Sequence, residues 1–222
     1  MPEVETGGDR AYLALPPRPG PGLVLIHEWW GLNPHIRSVA DRFAAAGFAT
    51  LAVDLYAGAV AKTPEEARTL LGRLDEKAVE TAVKAGVAFL GVHPSVASPQ
   101  VGVLGFCMGG RLALLAGCRI EGVGAVVDFY GGANPAFPLD LPAMRAPVLG
   151  LFGGLDKSIP PEAIEAVRSG LKAAGKHVEV AVYPEAGHAF FNDTRAEMYN
   201  AAAAADAFER ATTFLRRFLH AH

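Results

Sequence analysis

The sequence predicts one α/β domain in which a mostly parallel central sheet is flanked by helices on both faces. Short apolar runs alternate along the chain with amphipathic segments at helical spacing. Because these runs are apolar throughout, rather than at alternate residues, they are typical of strands that are buried on both faces of a sheet. No internal repeat, low-complexity linker or charge block divides residues 1–222, so a single domain is expected.

Seven segments are predicted as strands because apolar residues run continuously through them. The first is flanked by polar residues and lies close to the second in the chain, which allows antiparallel pairing at an edge of the sheet. In chain order, the predicted strands are Ala11–Leu15, Leu23–Ile26, Ala49–Val53, Val101–Leu104, Ala125–Phe129, Val148–Phe152 and Val178–Tyr183.

Six amphipathic segments between the strands are predicted as helices. Apolar residues recur at helical spacing in the third and the last of them, and the run Ala201–Ala205 favours close packing on the sheet. The irregular stretch Asn134–Pro147 is short, so a minimal lid or none is expected over an open or shallow site. The predicted helices are Pro34–Ala46, Pro64–Leu71, Asp75–Leu90, Gly109–Ala116, Glu162–Ala174 and Arg195–Leu219.

Composition favours an enzyme-sized globular domain over a nucleic-acid or membrane protein. Hydrophobic residues make up 51% of the chain, enough for a sizeable core, and a net charge of −3 gives no general attraction to nucleic acid or acidic lipid. No run reaches the roughly 18 apolar residues of a membrane span, and the acidic segment Met1–Glu5 is unlike a signal peptide. Cys107 and Cys118 form neither a disulfide framework nor a Cys-x-x-Cys motif, so a reducing, cytoplasmic location is expected.

The segment Gly105–Gly109, Gly-Phe-Cys-Met-Gly, has the pattern of a nucleophile elbow with cysteine in place of serine. A predicted strand leads into it and a predicted helix follows, which forces Cys107 at the tip into a cramped backbone conformation that the flanking glycines relieve. The helix dipole and the free amides at this point favour a thiolate. Cys107 is therefore the predicted nucleophile. The alternative is a buried cysteine that acts only as a small hydrophobe, as Cys118 is expected to do.

A thiol nucleophile needs a base within hydrogen-bonding reach and a third group that orients the base. Active groups gather at the carboxyl ends of parallel strands, where Asp156 and His188 follow two late strands in glycine-containing loops. The predicted roles are Cys107 as nucleophile, His188 as base and then acid, and Asp156 as the anchor of the imidazole tautomer. The alternatives are that Asp156 caps the helix near Pro160 and that His188 is a loop histidine with satisfied hydrogen bonds.

Backbone amides are expected to stabilise the oxyanion, namely those of Met108, after the nucleophile, and Trp29, in the loop after an early strand. Glu28 in that loop is a carboxylate at the end of a buried strand, so it needs a partner, either the Cys107 thiol or an arginine. His27 is a supporting candidate beside it. The alternatives are that Trp29 is a core anchor and that Glu28 is a solvated loop residue.

Together these motifs resemble the dienelactone hydrolase family over almost the whole chain. The resemblance implies an α/β-hydrolase fold and an enzyme of the carboxymethylenebutenolidase type, which attacks an ester or enol-lactone carbonyl through a thioester. It also implies that the Cys107 thiol rests protonated against Glu28 until substrate binding moves that carboxylate and helps to deprotonate the thiol. The matching segments are His27–Gly31, Val53–Tyr56, Gly105–Gly110, Asp156 and Gly187–Phe190.

One position departs from the family pattern. Asn192 stands where family members that cleave dienelactones carry one of two arginines for the substrate carboxylate. Arg68 is the candidate for the other arginine, and an ordinary surface arginine is the alternative. Because loss of a bidentate clamp weakens selection for a carboxylated lactone, a broad-specificity carboxylesterase or thioesterase is an alternative function. A non-catalytic ligand-binding or redox-sensing module on the same fold is another.

The leading hypothesis is a cysteine-dependent hydrolase without metal or cofactor, acting on a small-molecule ester or lactone. His-x-x-x-His and clustered carboxylate–histidine spacings are absent from the sequence, which argues against a metal-dependent hydrolase. Aromatic side chains suggest an apolar or aromatic portion of the substrate, although each could equally be packing. The sequence leaves open whether the protein is a monomer or a small homo-oligomer. The predicted substrate contacts are Trp30, Arg68, Phe190 and Asn192.

Overall fold

The computed structural model describes residues 3–219, and in this range the chain forms an eight-stranded sheet covered by helices. The predicted α/β architecture is confirmed. The strands are β1 Glu3–Thr6, β2 Asp9–Ala14, β3 Gly20–Ile26, β4 Ala49–Val53, β5 Val96–Phe106, β6 Val123–Phe129, β7 Val148–Gly153 and β8 Val178–Tyr183. The helices are α1 Pro34–Ala45, α2 Pro64–Leu71, α3 Glu76–Gly91, α4 Met108–Arg119, α5 Pro161–Ala173 and α6 Ala201–Leu219.

The strands follow the order β1-β2-β4-β3-β5-β6-β7-β8 across the sheet. Pairing is antiparallel among β1, β2 and β4, and parallel at every step from β4 to β8. Parallel pairing aligns the carboxyl ends of β3, β5, β6, β7 and β8 along one edge of the sheet. The loops that leave this edge are where an α/β sheet places its site.

The first predicted strand, Ala11–Leu15, corresponds to β2, and it pairs antiparallel as expected. Its partner is β4, the third predicted strand, and it is not the edge strand. β1 pairs along its outer side. The sequence of β1, Glu-Val-Glu-Thr, contains no apolar run and buries only Thr6, so the pattern that identifies buried strands does not detect it. Gly7 and Gly8, both with positive φ, form the tight turn that brings β1 back onto β2.

Two apolar layers form the core, one on each face of the sheet, because successive strand residues point to opposite faces. On β3, Leu23 and Leu25 belong to the layer that contains residues of α1 and α6. Val24 and Ile26 belong to the layer that contains residues of α3 and α4. Both faces are covered, which explains why the central strands are continuously apolar in sequence.

The last helix begins at Ala201, not at Arg195 as predicted. Asn200 sets this start. Its side-chain Oδ1 accepts a hydrogen bond from the Ala203 backbone N–H at 3.0 Å, and its own backbone N–H donates to the Phe190 carbonyl at 3.0 Å. The first bond satisfies a free amide of the first helical turn. The second depends on a tertiary contact, which helical periodicity does not report. Residues 189–200 therefore form an irregular segment before α6.

Little structure is inserted between β6 and β7. This connection contains a single short 3₁₀ turn, Leu141–Ala143, in agreement with the expected minimal lid. Among residues 3–219, no helix combines the length and apolar composition needed to cross a membrane.

Candidate active site

Cys107 occupies the tight turn between β5 and α4, with φ 54° and ψ −118°. A Cβ at Gly105 would lie 2.0 Å from the Gly109 carbonyl oxygen, and one at Gly109 would lie 2.4 Å from the Ile26 carbonyl oxygen. Only glycine fits at these two positions, because such distances are far below van der Waals contact. The Cys107 amide donates to the Phe129 carbonyl at 2.9 Å, so β6 holds the tip of the turn in place.

Asp156 and His188, from the loops after β7 and β8, form a hydrogen-bonded pair. His188 Nδ1 lies 2.6 Å from Asp156 Oδ2, and the Asp156 side chain is buried. Its other oxygen accepts hydrogen bonds from the Ser158 amide at 2.8 Å and the Ser158 hydroxyl at 2.5 Å. Asp156 does not cap α5, because Pro160 occupies the N-cap position without a side-chain cap. Although burial alone raises the pKa of Asp156, the bonds from His188 and Ser158 lower it below its ordinary value.

The imidazole of His188 is hydrogen-bonded to Asp156 and lies close enough to Cys107 for that side chain to affect its pKa. Burial lowers the pKa of His188, but the interactions with Asp156 and Cys107 outweigh it and raise the pKa to about 10. The Tyr130 ring, at the end of β6, packs edge-on against the imidazole with centroids 5.2 Å apart. The loops after β7 and β8 therefore place a hydrogen-bonded imidazole–carboxylate pair near the elbow that carries Cys107.

Glu28 is 1% exposed and lies at the end of the β3 segment, as the sequence predicted for a strand-end carboxylate. Its hydrogen-bond partner is neither of the two expected, the Cys107 thiol or an arginine, but Asn192, whose Nδ2 donates to Oε2 at 2.8 Å. Burial raises the pKa of Glu28, and the Asn192 bond and the positive charges of His188 and Arg195 offset only part of this. Glu28 Oε1 and the neighbouring Tyr130 hydroxyl make no hydrogen bond of good geometry within residues 3–219.

The Asn192 side chain lies in the protein interior and makes its hydrogen bonds there. It is 2% exposed, and its Oδ1 accepts from the amide and the hydroxyl of Thr194 at 3.1 and 2.7 Å. Because Nδ2 also donates to Glu28, both polar atoms of the Asn192 side chain are engaged within the protein. Phe190, also predicted as a substrate contact, is fully buried and packs on Tyr130 and Tyr183 with ring centroids 5.3 and 5.1 Å apart. Both residues form part of the wall behind the site.

The other two predicted substrate contacts differ from each other. Trp30 is partly exposed and packs against Trp29, with ring centroids 5.1 Å apart. The Arg195 guanidinium lies over the Trp30 ring, 5.8 Å from its centroid. Arg68 is exposed on α2, and its side chain makes no hydrogen bond or ion pair within residues 3–219. The structure thus brings Arg195, not Arg68, next to Trp30.

The two amides predicted for an oxyanion hole belong to Met108, the first residue of α4, and to Trp29 in the turn after β3. Within residues 3–219, neither N–H donates a hydrogen bond. The turn itself is closed by the Gly31 amide, which donates to the Glu28 carbonyl at 3.2 Å. Free backbone N–H groups are the kind of donor that stabilisation of a developing oxyanion requires.

Three contributing residues were absent from the predicted site: Ser158, Arg195 and, as a polar neighbour, Tyr130. Tyr130 follows β6 directly, at a strand end like Cys107, Asp156 and His188, so its place in the chain was a usable signal. Ser158 and Arg195 lie in irregular loops, where no periodicity marks them. Among the residues described, no group of three or more His, Cys, Asp or Glu is arranged to hold a metal ion.

Comparison with known proteins identifies a consistent set of similar chains. The model of the family described as "Dienelactone hydrolase family" matches residues 10–219. A protein of Methylorubrum extorquens named "Putative carboxymethylenebutenolidase" is 33% identical over 223 residues, covering 94% of this chain and 76% of that protein. "Protein usf" of Aquifex pyrophilus is 33% identical over 230 residues, covering 99% and 98% of the two chains.

Solved structures agree with the sequence relatives. The dienelactone hydrolase-like promiscuous phosphotriesterase P91, from metagenomic libraries, superposes with a TM-score of 0.82 at 25% identity, covering 91% of this chain and 88% of that one. A dienelactone hydrolase from Anabaena variabilis gives a TM-score of 0.71 at 25% identity, covering 99% and 97%. The whole fold, and not one motif, is shared.

Proposed function

The chain belongs to the dienelactone hydrolase family, and we propose that it hydrolyses carboxylic esters or enol-lactones through a thioester formed on Cys107. The observation that carries the proposal is the buried Asp156 carboxylate hydrogen-bonded to His188, beside the strand-to-helix turn that carries Cys107. A thiol nucleophile, an imidazole base and a carboxylate that orients the base are the groups used for acyl transfer.

The first half-reaction transfers the acyl group to sulfur. His188 takes the proton of the Cys107 thiol, and the thiolate attacks the carbonyl carbon of the ester. The carbonyl oxygen becomes an oxyanion, which the amides of Met108 and Trp29 bind. As the tetrahedral intermediate collapses, the bond to the leaving oxygen breaks and His188 returns its proton to that oxygen.

The second half-reaction releases the acid. His188 takes a proton from water, and the resulting hydroxide attacks the thioester carbonyl. Collapse of this intermediate breaks the carbon–sulfur bond and gives the carboxylic acid product, while the sulfur recovers a proton from His188. The hydrogen bond to Asp156 stabilises the imidazolium form of His188, which must persist while either intermediate exists.

Glu28 is proposed to act in its uncharged form. Its raised pKa keeps the carboxyl protonated to higher pH than an exposed glutamate, since burial penalises the anion. An uncharged Glu28 does not repel the thiolate or the oxyanion, whereas a buried carboxylate beside them would.

We propose a broad range of esters and lactones as substrates rather than a strict dienelactone preference. Asn192 is engaged with Glu28 and Arg68 is exposed on α2, so a paired arginine clamp for a substrate carboxylate has no support here. Arg195, over the Trp30 ring, is the cation proposed to meet an anionic group when the substrate carries one. A hydrolysis screen that compares dienelactone with neutral esters, lactones and thioesters tests this range.

Replacement of the nucleophile tests the function itself. We expect Cys107→Ala to lower hydrolysis of p-nitrophenyl acetate by more than about 1,000-fold, the usual cost of removing a triad nucleophile. Cys118→Ala is the matched control and should retain activity. Iodoacetamide should inactivate the wild-type enzyme and label Cys107. Hydrolysis by Cys107→Ala at the wild-type rate would contradict the proposal.

A redox-sensing module is the weaker alternative. Cys118, the second thiol, is buried within α4, and burial raises its pKa to about 11, so it is poorly suited to resolve an oxidised Cys107. Both cysteines are free thiols, which supports a proposed location in the reducing cytoplasm. Absence of turnover across the ester panel, together with retention of a small molecule, would favour the alternative.

A further inference from the structure

The two amides proposed for the oxyanion come from separate parts of the chain, Trp29 from the turn after β3 and Met108 from the start of α4. Their separation is therefore set by contacts between the two segments and not by local backbone geometry. Misplacing a group at an active site by roughly 1 Å can cost about 100-fold in rate. The residues that join the two segments are consequently of functional interest.

His27 fixes the Trp29 side. Its ring is fully buried, Nδ1 lies 2.6 Å from the Glu28 carbonyl oxygen, and the Leu55 amide donates to Nε2 at 3.2 Å. An N–H donor at Nε2 requires Nδ1 to carry the hydrogen, so the imidazole is neutral and donates to Glu28. The same carbonyl accepts from the Gly31 amide and closes the turn that contains Trp29.

Tyr56 joins this turn to the elbow. Its ring lies 4.9 Å from the His27 ring and packs against Gly31, where a Cβ would approach Tyr56 Cδ2 to 3.2 Å. Its hydroxyl donates to Met108 Sδ at 3.5 Å. The Tyr56 amide is itself held by Asp54 Oδ1 at 2.9 Å. A continuous chain of contacts therefore runs from the Trp29 turn to Met108.

We propose that His27 and Tyr56 are positioning residues that set the spacing of the two oxyanion-binding amides. Neither residue is proposed to contact the scissile carbonyl or the sulfur. His27 acts through the backbone of Glu28, and Tyr56 acts through the side chain of Met108. The inference rests on the proposed function and names the part of the fold that gives the oxyanion hole its geometry.

A matched pair of substitutions at His27 tests the inference. His27→Asn places an amide donor near the Nδ1 position and preserves the bond to the Glu28 carbonyl. His27→Gln places its amide near the Nε2 position and loses that bond. We expect His27→Gln to lower kcat for p-nitrophenyl acetate by about 10- to 100-fold, within the range for a displaced oxyanion donor. KM should stay within about twofold, and His27→Asn should recover most of the loss.

Alkylation separates oxyanion geometry from thiol reactivity. Iodoacetamide reacts with Cys107 by displacement at a saturated carbon, a reaction that forms no oxyanion. His27→Gln should therefore be alkylated at the wild-type rate although its ester hydrolysis is impaired. A trifluoromethyl ketone, which forms an oxyanion on attack by the thiol, should bind more weakly in proportion to the loss in kcat/KM.

The outcomes are distinct. Alkylation that falls in parallel with hydrolysis, or hydrolysis that stays at the wild-type level in His27→Gln, overturns the inference. If His27→Gln does not fold, Tyr56→Leu gives the same comparison, with at least a fivefold loss of kcat expected and unchanged alkylation required. Failure of the proposed function is recognised separately, because wild-type hydrolysis would then not depend on Cys107.

Discussion

Asn192 donates a 2.8 Å hydrogen bond to Glu28, although the two residues lie 164 positions apart in the chain. The contact links the irregular segment after the His188 loop to the turn after β3. It supplies the polar partner that a nearly inaccessible carboxyl group requires. An amide at position 192 thus satisfies Glu28 without adding the charge that an arginine would bring.

Replacing Asn192 by leucine should destabilise the fold. Asn192→Leu leaves Glu28 Oε2 buried without a donor, at an expected cost of about 1–3 kcal/mol in the free energy of unfolding. Urea denaturation measures the change. Thr194→Val is the matched control, since it removes only a bond to Asn192 Oδ1 and should cost less. Equal stability of Asn192→Leu and wild type would contradict this account of Glu28.

Asp128, on β6 beside the elbow, should make stability depend on pH. Burial raises its pKa from 3.8 to about 7, against the opposing effects of the Gly131 amide bond and the Arg111 charge. The folded state then holds the proton more tightly than the unfolded state. The contribution of Asp128 to the free energy of unfolding is therefore fully present below about pH 4 and is lost as pH rises through 7.

Asp128→Asn tests this dependence, since asparagine keeps an acceptor for the Gly131 amide and cannot ionise. Between pH 5 and pH 8, the wild type should lose more unfolding free energy than Asp128→Asn, as measured by urea melts at both pH values. Parallel pH profiles for the two proteins would show that the group does not titrate in this range.

Sequence patterns predicted the parts of the fold that depend on local chemistry. Continuous apolar runs located the buried strands, and the spacing of Gly105, Cys107 and Gly109 indicated a turn that the structure contains. β1 was missed because an edge strand exposes most of its residues. The partner of Glu28 depends on a contact between residues 164 positions apart, and such a contact leaves no periodic signal in a single sequence. The start of α6 at Ala201 is set by a local cap, Asn200 Oδ1 on the Ala203 amide, which helical periodicity alone does not report.

Asp156→Asn should lower activity while leaving the site assembled. Asparagine has nearly the same shape but no charge, so we expect kcat/KM to fall by about 100- to 10,000-fold, as for an orienting acid in a triad. The pKa of His188 should fall from about 10 toward its ordinary value, because a hydrogen bond and a charge that raise it are altered. NMR titration of the imidazole measures the shift. Ser158→Ala, which keeps the Ser158 amide bond to Asp156, should have a much smaller effect.

Arg195→Gln should change which substrates are preferred rather than the chemistry. The guanidinium lies over the Trp30 ring, and its ion pair with the exposed Glu197 is one that solvent weakens, so an anionic substrate group can compete for it. Loss of this charge should raise KM for a carboxylated ester by about tenfold. KM for a neutral ester of the same size should stay within about twofold, because it makes no charged contact there.

Arg68→Gln is the control for the effect of net charge, because it removes an arginine exposed on α2 that forms no ion pair within residues 3–219. Steady-state kinetics with both esters should leave Arg68→Gln indistinguishable from the wild type. Equal increases in KM for the two arginine variants would mean that the carboxylated ester responds to the overall field of the protein. A selective increase in Arg195→Gln alone would instead identify the rim beside Trp30 as the point where the substrate charge is bound.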